Sequence, residues 1–594
     1  MFYAKDHKTG YLFDPFDFLG TQRRKLLSQS WAHLFREEIL SDLPVEKLVP
    51  YYSSRMGRPT KELFSLMGLL ILQQMFDLTD EEAVRQFAFN IEWHYALDIL
   101  SESDEEKYVC PKTLWTLRKI VTEANLHTVL FEGVTGKLAK VLSVDPSYQR
   151  LDSVHIFSNM RHLGRIGLFV QTIQKFLANL KRHHKDLFSS LDSALRKEYC
   201  TKAGVAAFGL VKPSESARTL ARLGTDLFHL VERFRKHSKV STMTSYQLLV
   251  RLLNEQCIIE NASGTDHPQV WIKPNREVPS DSLQNPSDPD ATYDGHKGKG
   301  YQVQIMETYH PEPESRPEEE TASGEHQEPK KPPSLITHVA VEPAHCHDVH
   351  ALLPAIDSAK EKRLAPQQLL ADTLYGSDEN CEKAMEQGVS VISPVRDLPD
   401  KERRYSLSDF SFSKHNKVTV CPQGRTPFKT RKKKRYSAVF DSEDCQDCTH
   451  RTECPVQPGK KGYYLHYDDK AVRVMKRRAA QQTDTFRAQY RYRAGVEGSL
   501  SALDRKTGIK HLRVRGLAAV SYCAFLKAAA LNILRAAAFR KGTGTRETQH
   551  NRIPVLLRRV LDVFKEPFAS ALKFFRKSGA RLNMSGPSAC QWVA

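Results

Sequence analysis

Apolar residues recur at helical spacing through the first 145 or so positions of the chain. "KELFSLMGLLILQQMF" (61–76) carries them every three or four residues, and "LTDEE" follows, with Thr79 placed as an N-cap and Glu82 three residues on. That pairing is a capping box, and it opens a second helix, "DEEAVRQFAF". Two short helices joined by a tight turn, after the basic "RMGRPTK", fit a helix-turn-helix layout and an ordinary helical bundle equally well. Further helices are expected around "KTLWTLRKIV" and "TVLFEGVTGKLAKVL".

At residue 149 the period changes. "YQRLDSVHIF" is rich in β-branched and aromatic residues and reads as a strand with Asp152 in its middle. A long helical stretch follows over 166–258, and then strands return. "GYQVQIMETY" (300–309) alternates, and "SLITHVAVEPA" (334–344) is its expected partner. Between them the acidic, Pro-rich segment 310–332 has almost no apolar residues and is expected to be disordered. A helix, "DVHALLPAIDSAKEK", leads to the strand "QQLLADTLY" with Asp372. Another helix, "SDENCEKAMEQG", and the strand "VSVISPV" complete a mixed α/β sheet with both aspartates on strands. No internal repeat is visible.

Composition sharpens this picture. Lys and Arg outnumber Asp and Glu by 88 to 70 in 594 residues, a net +18, which favours a polyanionic partner, nucleic acid before membrane. The N-terminus has no apolar core of a secretion signal. The most apolar stretch, 516–539, carries Lys527 and Arg535 and reads as a buried helix. Eleven cysteines without a signal peptide point to a reducing compartment, where paired cysteines are metal ligands before they are disulfides.

Aspartate is disfavoured in strands, so Asp152 and Asp372 are acids in settings that should be largely buried. Such groups need partners, either structural hydrogen bonds or a divalent cation. A third acid, Glu497, lies in "QYRYRAGVEGSLSALDR" (489–505), which looks like one continuous helix. There Tyr490, Arg493 and Glu497 stand at i, i+3 and i+7 on one face. Spacing alone leaves two readings open: a surface Arg–Glu pair, or a metal ligand beside phosphate-binding residues.

Several segments together resemble the DDE transposases of bacterial insertion sequences, whose catalytic domain is RNase H-like. They are "RMGRPTKELFSLMGLLILQQMFDLTDEEAVRQFAF", "RLDSVHIFSNMRHLGR", "ATYDGHKGKGYQVQ", "HDVHALLPAI", "LLADTLYGSDEN" and "YRYRAGVEGSLSALDR…GIKHLRVRG", in order over roughly 55–540. The resemblance implies a catalytic triad of Asp152, Asp372 and Glu497 holding Mg²⁺ or Mn²⁺, with two ions about 4 Å apart serving cleavage and 3′-hydroxyl strand transfer. The family's helix pattern is Tyr, two residues, Arg, three residues, Glu, six residues, Lys. Tyr490, Arg493 and Glu497 fit it, but the Lys position is Asp504, and Arg505 next door is taken as its substitute. Implied with these are double-stranded DNA as partner (transposon ends and target), a homodimer in the DNA complex, no membrane, and a place in the bacterial cytoplasm beside the nucleoid.

The expected architecture is therefore a helical DNA-binding domain (1–145), an RNase H-like α/β domain (146–395 plus 476–545) with a helical insertion at 166–275, a basic cysteine-containing insertion (396–475), and a tail (546–594). In the cysteine insertion, Cys445 and Cys448 form a CxxC pair, Cys454 follows, and Cys421 is a possible fourth ligand of a structural Zn²⁺, with His450 competing. The insertion looks short of apolar residues, so a metal would supply its stability. Arg431, Lys432, Lys433 and Lys434 form a basic run that faces phosphate if the insertion lies on DNA, and is otherwise a solvated loop. Cys110, Cys200, Cys257, Cys346, Cys381, Cys523 and Cys590 look isolated. Two other functions share these features: an RNase H-like nuclease without strand transfer, and an inactive or zinc-containing DNA-binding protein.

Overall fold

A computed structural model describes residues 2–9, 11–53, 56–260, 268–312, 331–396 and 405–543. Most of the acidic segment 310–332 and the whole tail 546–594, with Cys590, lie outside the described residues. The described residues divide into two compact units, the first drawn from 1–68, 85–109 and 537–543, the second from 69–84 and 110–536.

The first unit is helical. Trp31–Leu34 and the turn that continues it, Phe35–Ile39, pack on Ile91–Ala96, burying Phe35, Ile39, Trp93 and Leu97. Its N-terminal segment is pinned by charge. Asp98 takes His7 Nδ1 at 3.0 Å, the Tyr11 hydroxyl at 2.7 Å and the Arg36 guanidinium at 2.6 Å. Helix α1 (Leu63–Met75) and helix α2 (Asp80–Phe89), whose residues from Leu69 to Val84 count with the second unit, form where the apolar spacing predicts them. The capping box is present: Glu82 N–H donates to Thr79 Oγ1, and Thr79 N–H to Glu82 Oε2 at 2.8 Å.

The second unit is built on a mixed sheet. Its strands are β1 (Tyr148–Phe157), β2 (Thr292–Asp294), β3 (Gly298–Thr308), β4 (Ile336–Pro343), β5 (Gln368–Ala371) and β6 (Ser390–Ile392). β3 runs antiparallel to β1, and β4 and the short β2 pair antiparallel along the outer edge of β3. On the other side β5 is parallel to β1 and β6 parallel to β5. Each parallel step requires a crossover, supplied by α6 (Leu352–Glu361) and α7 (Asp378–Glu386). Three antiparallel strands followed by two helix-connected parallel ones is the RNase H-like arrangement. Helices α3 (Arg165–His183), α4 (Ser216–Phe234) and α5 (Thr244–Gln256) make the insertion after β1 and bury a core of their own around Phe169, Phe176, Leu227 and Leu249.

The cysteine insertion forms a separate four-stranded sheet of β7 (Lys429–Lys432), β8 (Tyr436–Phe440), β9 (Gln457–Gly459) and β10 (Gly462–Tyr467), in the order β7-β8-β10-β9. It is better supplied with apolar residues than its composition suggests: Phe410, Tyr436, Phe440, Tyr463, Leu465 and Tyr467 are buried together. The chain continues through α8 (Asp469–Gln481), α9 (Asp484–Tyr490), α10 (Gly495–Thr507) and α11 (Leu517–Thr543). α11 is long and apolar enough to cross a membrane, but 67% of its most apolar stretch is buried inside the protein. Lys527 within it, 1% exposed, is paired with Asp77 at 2.8 Å.

Candidate active site

The sheet register brings two acids side by side. Leu151 of β1 pairs with Ala371 of β5 in the parallel ladder, so the next residues, Asp152 and Asp372, are neighbours. Side chains alternate along a strand, which puts both on the face that carries Arg150 and Leu370. Asp372 is not within a strand, contrary to expectation. The ladder ends at Ala371, and a turn begins in which the Thr373 N–H donates to Asp372 Oδ1 at 2.7 Å and the Tyr375 N–H to the Asp372 carbonyl at 3.1 Å. The Ser393 hydroxyl holds the same carbonyl at 2.9 Å.

The third acid arrives on a broken helix. The segment 489–505 is not continuous: α9 ends at Tyr490, Arg491–Ala494 form a 3₁₀ turn, and α10 starts at Gly495. The tighter turn, three residues against 3.6, rotates α10 relative to α9, so the i, i+3, i+7 face does not persist. Arg493 nonetheless reaches both acids. Its Nη2 donates to Asp152 Oδ2 at 2.9 Å and its Nη1 to Glu497 Oε1 at 2.7 Å. The Arg–Glu pair that spacing left open as the alternative reading is present, and its arginine also grips an acid 341 residues earlier in the chain.

Electrostatics follow from this crowding. Burial pushes the Asp152 carboxyl above its ordinary range; Arg493 and the Ser153 N–H oppose the shift, and the neighbouring Asp372 and Asp348 add to it. Burial likewise raises the Tyr490 phenol, opposed by Arg493 and reinforced by Asp372, Asp152 and Glu497, so Tyr490 stands within the field of all three acids. Its ring stacks on Phe486 at 5.5 Å.

Asp348 is an acid that sequence reasoning passed over. It accepts from Gln304 Nε2 at 3.0 Å and from Gln302, and lies 3.3 Å from the Tyr375 hydroxyl. The one available signal was its place after a strand and just before a helix in "HDVHALLPAI", where an acid favours the helix start. Arg505 is not brought to the site: it is exposed, and its Nε donates to the Ser501 carbonyl at 3.4 Å. Asp504, at the family's Lys position, accepts the Lys510 N–H at 3.1 Å and shapes the turn after α10.

The four cysteines converge elsewhere in this unit. Cys421, Cys445, Cys448 and Cys454 line a cavity of about 410 Å³ together with His450. Burial, then the neighbouring thiols of Cys454, Cys421 and Cys448, push Cys445 up to about 11. Cys421 Sγ accepts the Arg425 N–H at 3.3 Å across a turn whose Gly424 has φ +79°. His450 is directed to Glu453 at 3.6 Å. The basic run forms the hairpin of β7 and β8: Arg431 and Lys432 end β7, and Lys433 and Lys434 make its tip. Lys432 is partly engaged, with Asp469 at 2.9 Å. Among the described residues, no group of three or more His, Cys, Asp and Glu side chains is arranged to hold a metal ion as it stands. In the carboxylate cluster the space between Asp152 and Glu497 is taken by the Arg493 guanidinium.

Two family models match the chain: the transposase DDE domain over residues 420–537, which include α10 and Glu497, and the transposase domain DUF772 over residues 29–119. Neither stretch includes Asp152 or Asp372. No curated protein and no solved structure matches the chain. With an RNase H-like sheet beside them, these matches define a transposase, an enzyme that acts on DNA. More narrowly, the two matches together support a DDE transposase of insertion-sequence type.

Proposed function

We propose that the protein cuts DNA at the ends of an insertion sequence and joins the freed 3′-hydroxyl to target DNA, with Asp152, Asp372 and Glu497 as the metal-holding acids. The observation that supports this reading is the Arg493 guanidinium bonded to both Asp152 and Glu497, on the sheet face where Asp372 is Asp152's neighbour. A place that draws positive charge among carboxylates from three distant segments suits a divalent cation, and an all-oxygen donor set suits Mg²⁺ or Mn²⁺. When bound, such ions activate the attacking hydroxyl and stabilise the leaving oxygen. Arg493 offers a planar donor fork to a phosphate, and Tyr490 a hydroxyl beside it. Burial and the turn after β5 hold Asp152 and Asp372 in place, while Glu497 is exposed, with 67% of its side chain accessible.

Arg431, Lys433 and Lys434, with Lys432 beside them, extend the phosphate-binding surface, and a homodimer places one site at each element end. We read the cysteine cluster as one that would close around a structural Zn²⁺, because a dication would offset the burial and mutual repulsion that resist ionising Cys445. The test is the purified chain with Mg²⁺ and duplex DNA carrying the flanking element's ends and a target duplex. Free 3′-ends joined to target are expected. Cutting without joining would make the protein a nuclease, and binding without metal-dependent cutting would make it a DNA-binding module.

A further inference from the structure

Glu307, near the end of β3, has 0% of its side chain exposed. A carboxylate removed from water costs several kcal/mol unless it is paired and hydrogen-bonded, and a buried ion pair contributes little net stability over an apolar replacement. Glu307 is held by two arginines. Arg150 donates to its Oε1 from Nε at 2.8 Å and from Nη2 at 2.7 Å, and Arg535 Nη1 donates to its Oε2 at 2.9 Å.

Each arginine also donates to the segment around Glu497, and Arg535 Nη1 donates in addition to the Ser334 carbonyl at 3.0 Å. Arg150 Nη1 donates to the Tyr492 carbonyl at 2.7 Å, and Arg535 Nη2 to the Ser499 hydroxyl at 2.6 Å. Those acceptors bracket Glu497, one on the 3₁₀ turn before it and one on α10 just after it. Arg150 is the register partner of Glu307 and lies two residues before Asp152 on the same sheet face, about 7 Å along the strand. A Cβ on Gly495 would collide with Arg150 Nη1, so a side chain at the first residue of α10 would require the guanidinium to move. Tyr492 is also stacked on Tyr309, two residues beyond Glu307, at 5.5 Å.

We propose that Glu307 is a positioning residue for the active site, docking the segment that carries Arg493 and Glu497 onto the Asp152 strand through Arg150 and Arg535. The inference rests on the assignment of Asp152 and Glu497 as metal-holding acids. Its structural half, the docking of residues 491–500, stands apart from that assignment. One carboxylate orients two guanidiniums, and each guanidinium gives one further nitrogen to the Glu497 segment.

The test uses the full chain carrying Glu307→Gln, Ser499→Ala, and the double change Glu307→Gln with Arg535→Met. The double variant removes a charge from each partner, keeps the net charge of the cluster at that of the parent, and should recover stability lost in the single one. Amide exchange of residues 491–500 should be faster in all three, with β1 protection unchanged in the double variant. The Mn²⁺ concentration for half-saturation, followed by the spin resonance of free Mn²⁺, should rise by about tenfold or more, the scale seen when groups that orient metal ligands are removed. DNA binding should hold. A double variant that melts like the parent, protects 491–500 like the parent and binds Mn²⁺ like the parent would overturn the proposal. If the parent shows no metal-dependent cleavage, the functional reading fails, and unchanged or faster exchange at 491–500 still decides the docking role.

Discussion

At the scale of the residue, Arg493 carries the most consequence. It is one cation shared by two carboxylates, bonded at 2.9 Å to Asp152 and 2.7 Å to Glu497. Asp152 needs that charge, because burial and two neighbouring acids all resist its ionisation. If these acids hold the reactive metals, Asp152→Asn, Asp372→Asn and Glu497→Gln each remove a ligand charge with almost no change of shape. Cleavage of an end-bearing duplex should then fall by at least about 10³-fold, roughly 4 kcal/mol of barrier, while specific DNA binding persists. Near-parental cleavage by any one of them would strike that residue from the triad.

At the scale of the element, the cysteine insertion and its basic hairpin make separate predictions. The insertion has an aromatic core, against which Cys421, Cys445 and Cys454 pack. Loss of metal should therefore loosen it locally and leave the β8–β10 core folded. Purified protein should contain about one zinc per chain. Cys448→Ser should lose it and expose the 441–456 stretch to protease first; a fully active preparation without zinc would refute the assignment. On the hairpin, replacing Arg431, Lys433 and Lys434 with Gln should weaken DNA binding across all sequences. The slope of log affinity against log salt should become shallower by about 0.9 for each phosphate contact removed. An unchanged slope would return the run to the status of a solvated loop.

At the scale of the whole molecule, the first unit carries a pH response of its own. Burial alone would depress His7, but its hydrogen bond to Asp98 and its close contact with the Glu62 carboxylate at 3.5 Å outweigh that and raise it from 6.5 to about 9. Its contribution is therefore complete below about pH 6.5 and is lost as pH rises towards 9, a loss of at most roughly 3 kcal/mol. Asp98 and Glu62 are held below their ordinary values despite burial, so their share is lost on acidification instead. The N-terminal segment should be held best in the mildly acidic range between these limits. Proteolysis within residues 2–11 should increase between pH 6.5 and 9, and His7→Gln should flatten that dependence.

The sequence by itself determined the elements and their order. Apolar periodicity and a capping box place α1, α2 and every strand of the mixed sheet except the short β2 within a few residues, because local spacing and local hydrogen bonds set those features. The choice of Asp152, Asp372 and Glu497 among 70 acids came from the order of matching segments, since no acid announces itself by spacing. Only tertiary structure decided the rest. The break at Arg491–Ala494 is invisible to helical period, and the segment is tied by the Arg150 bond to the Tyr492 carbonyl. Arg505 satisfies the family's spacing approximately, yet its guanidinium turns to its own helix. Glu307 and Arg150 are 157 residues apart and become partners only through the β1–β3 register. Long-range pairings of this kind depend on which strands meet and in what register, and a single chain's local pattern does not encode that.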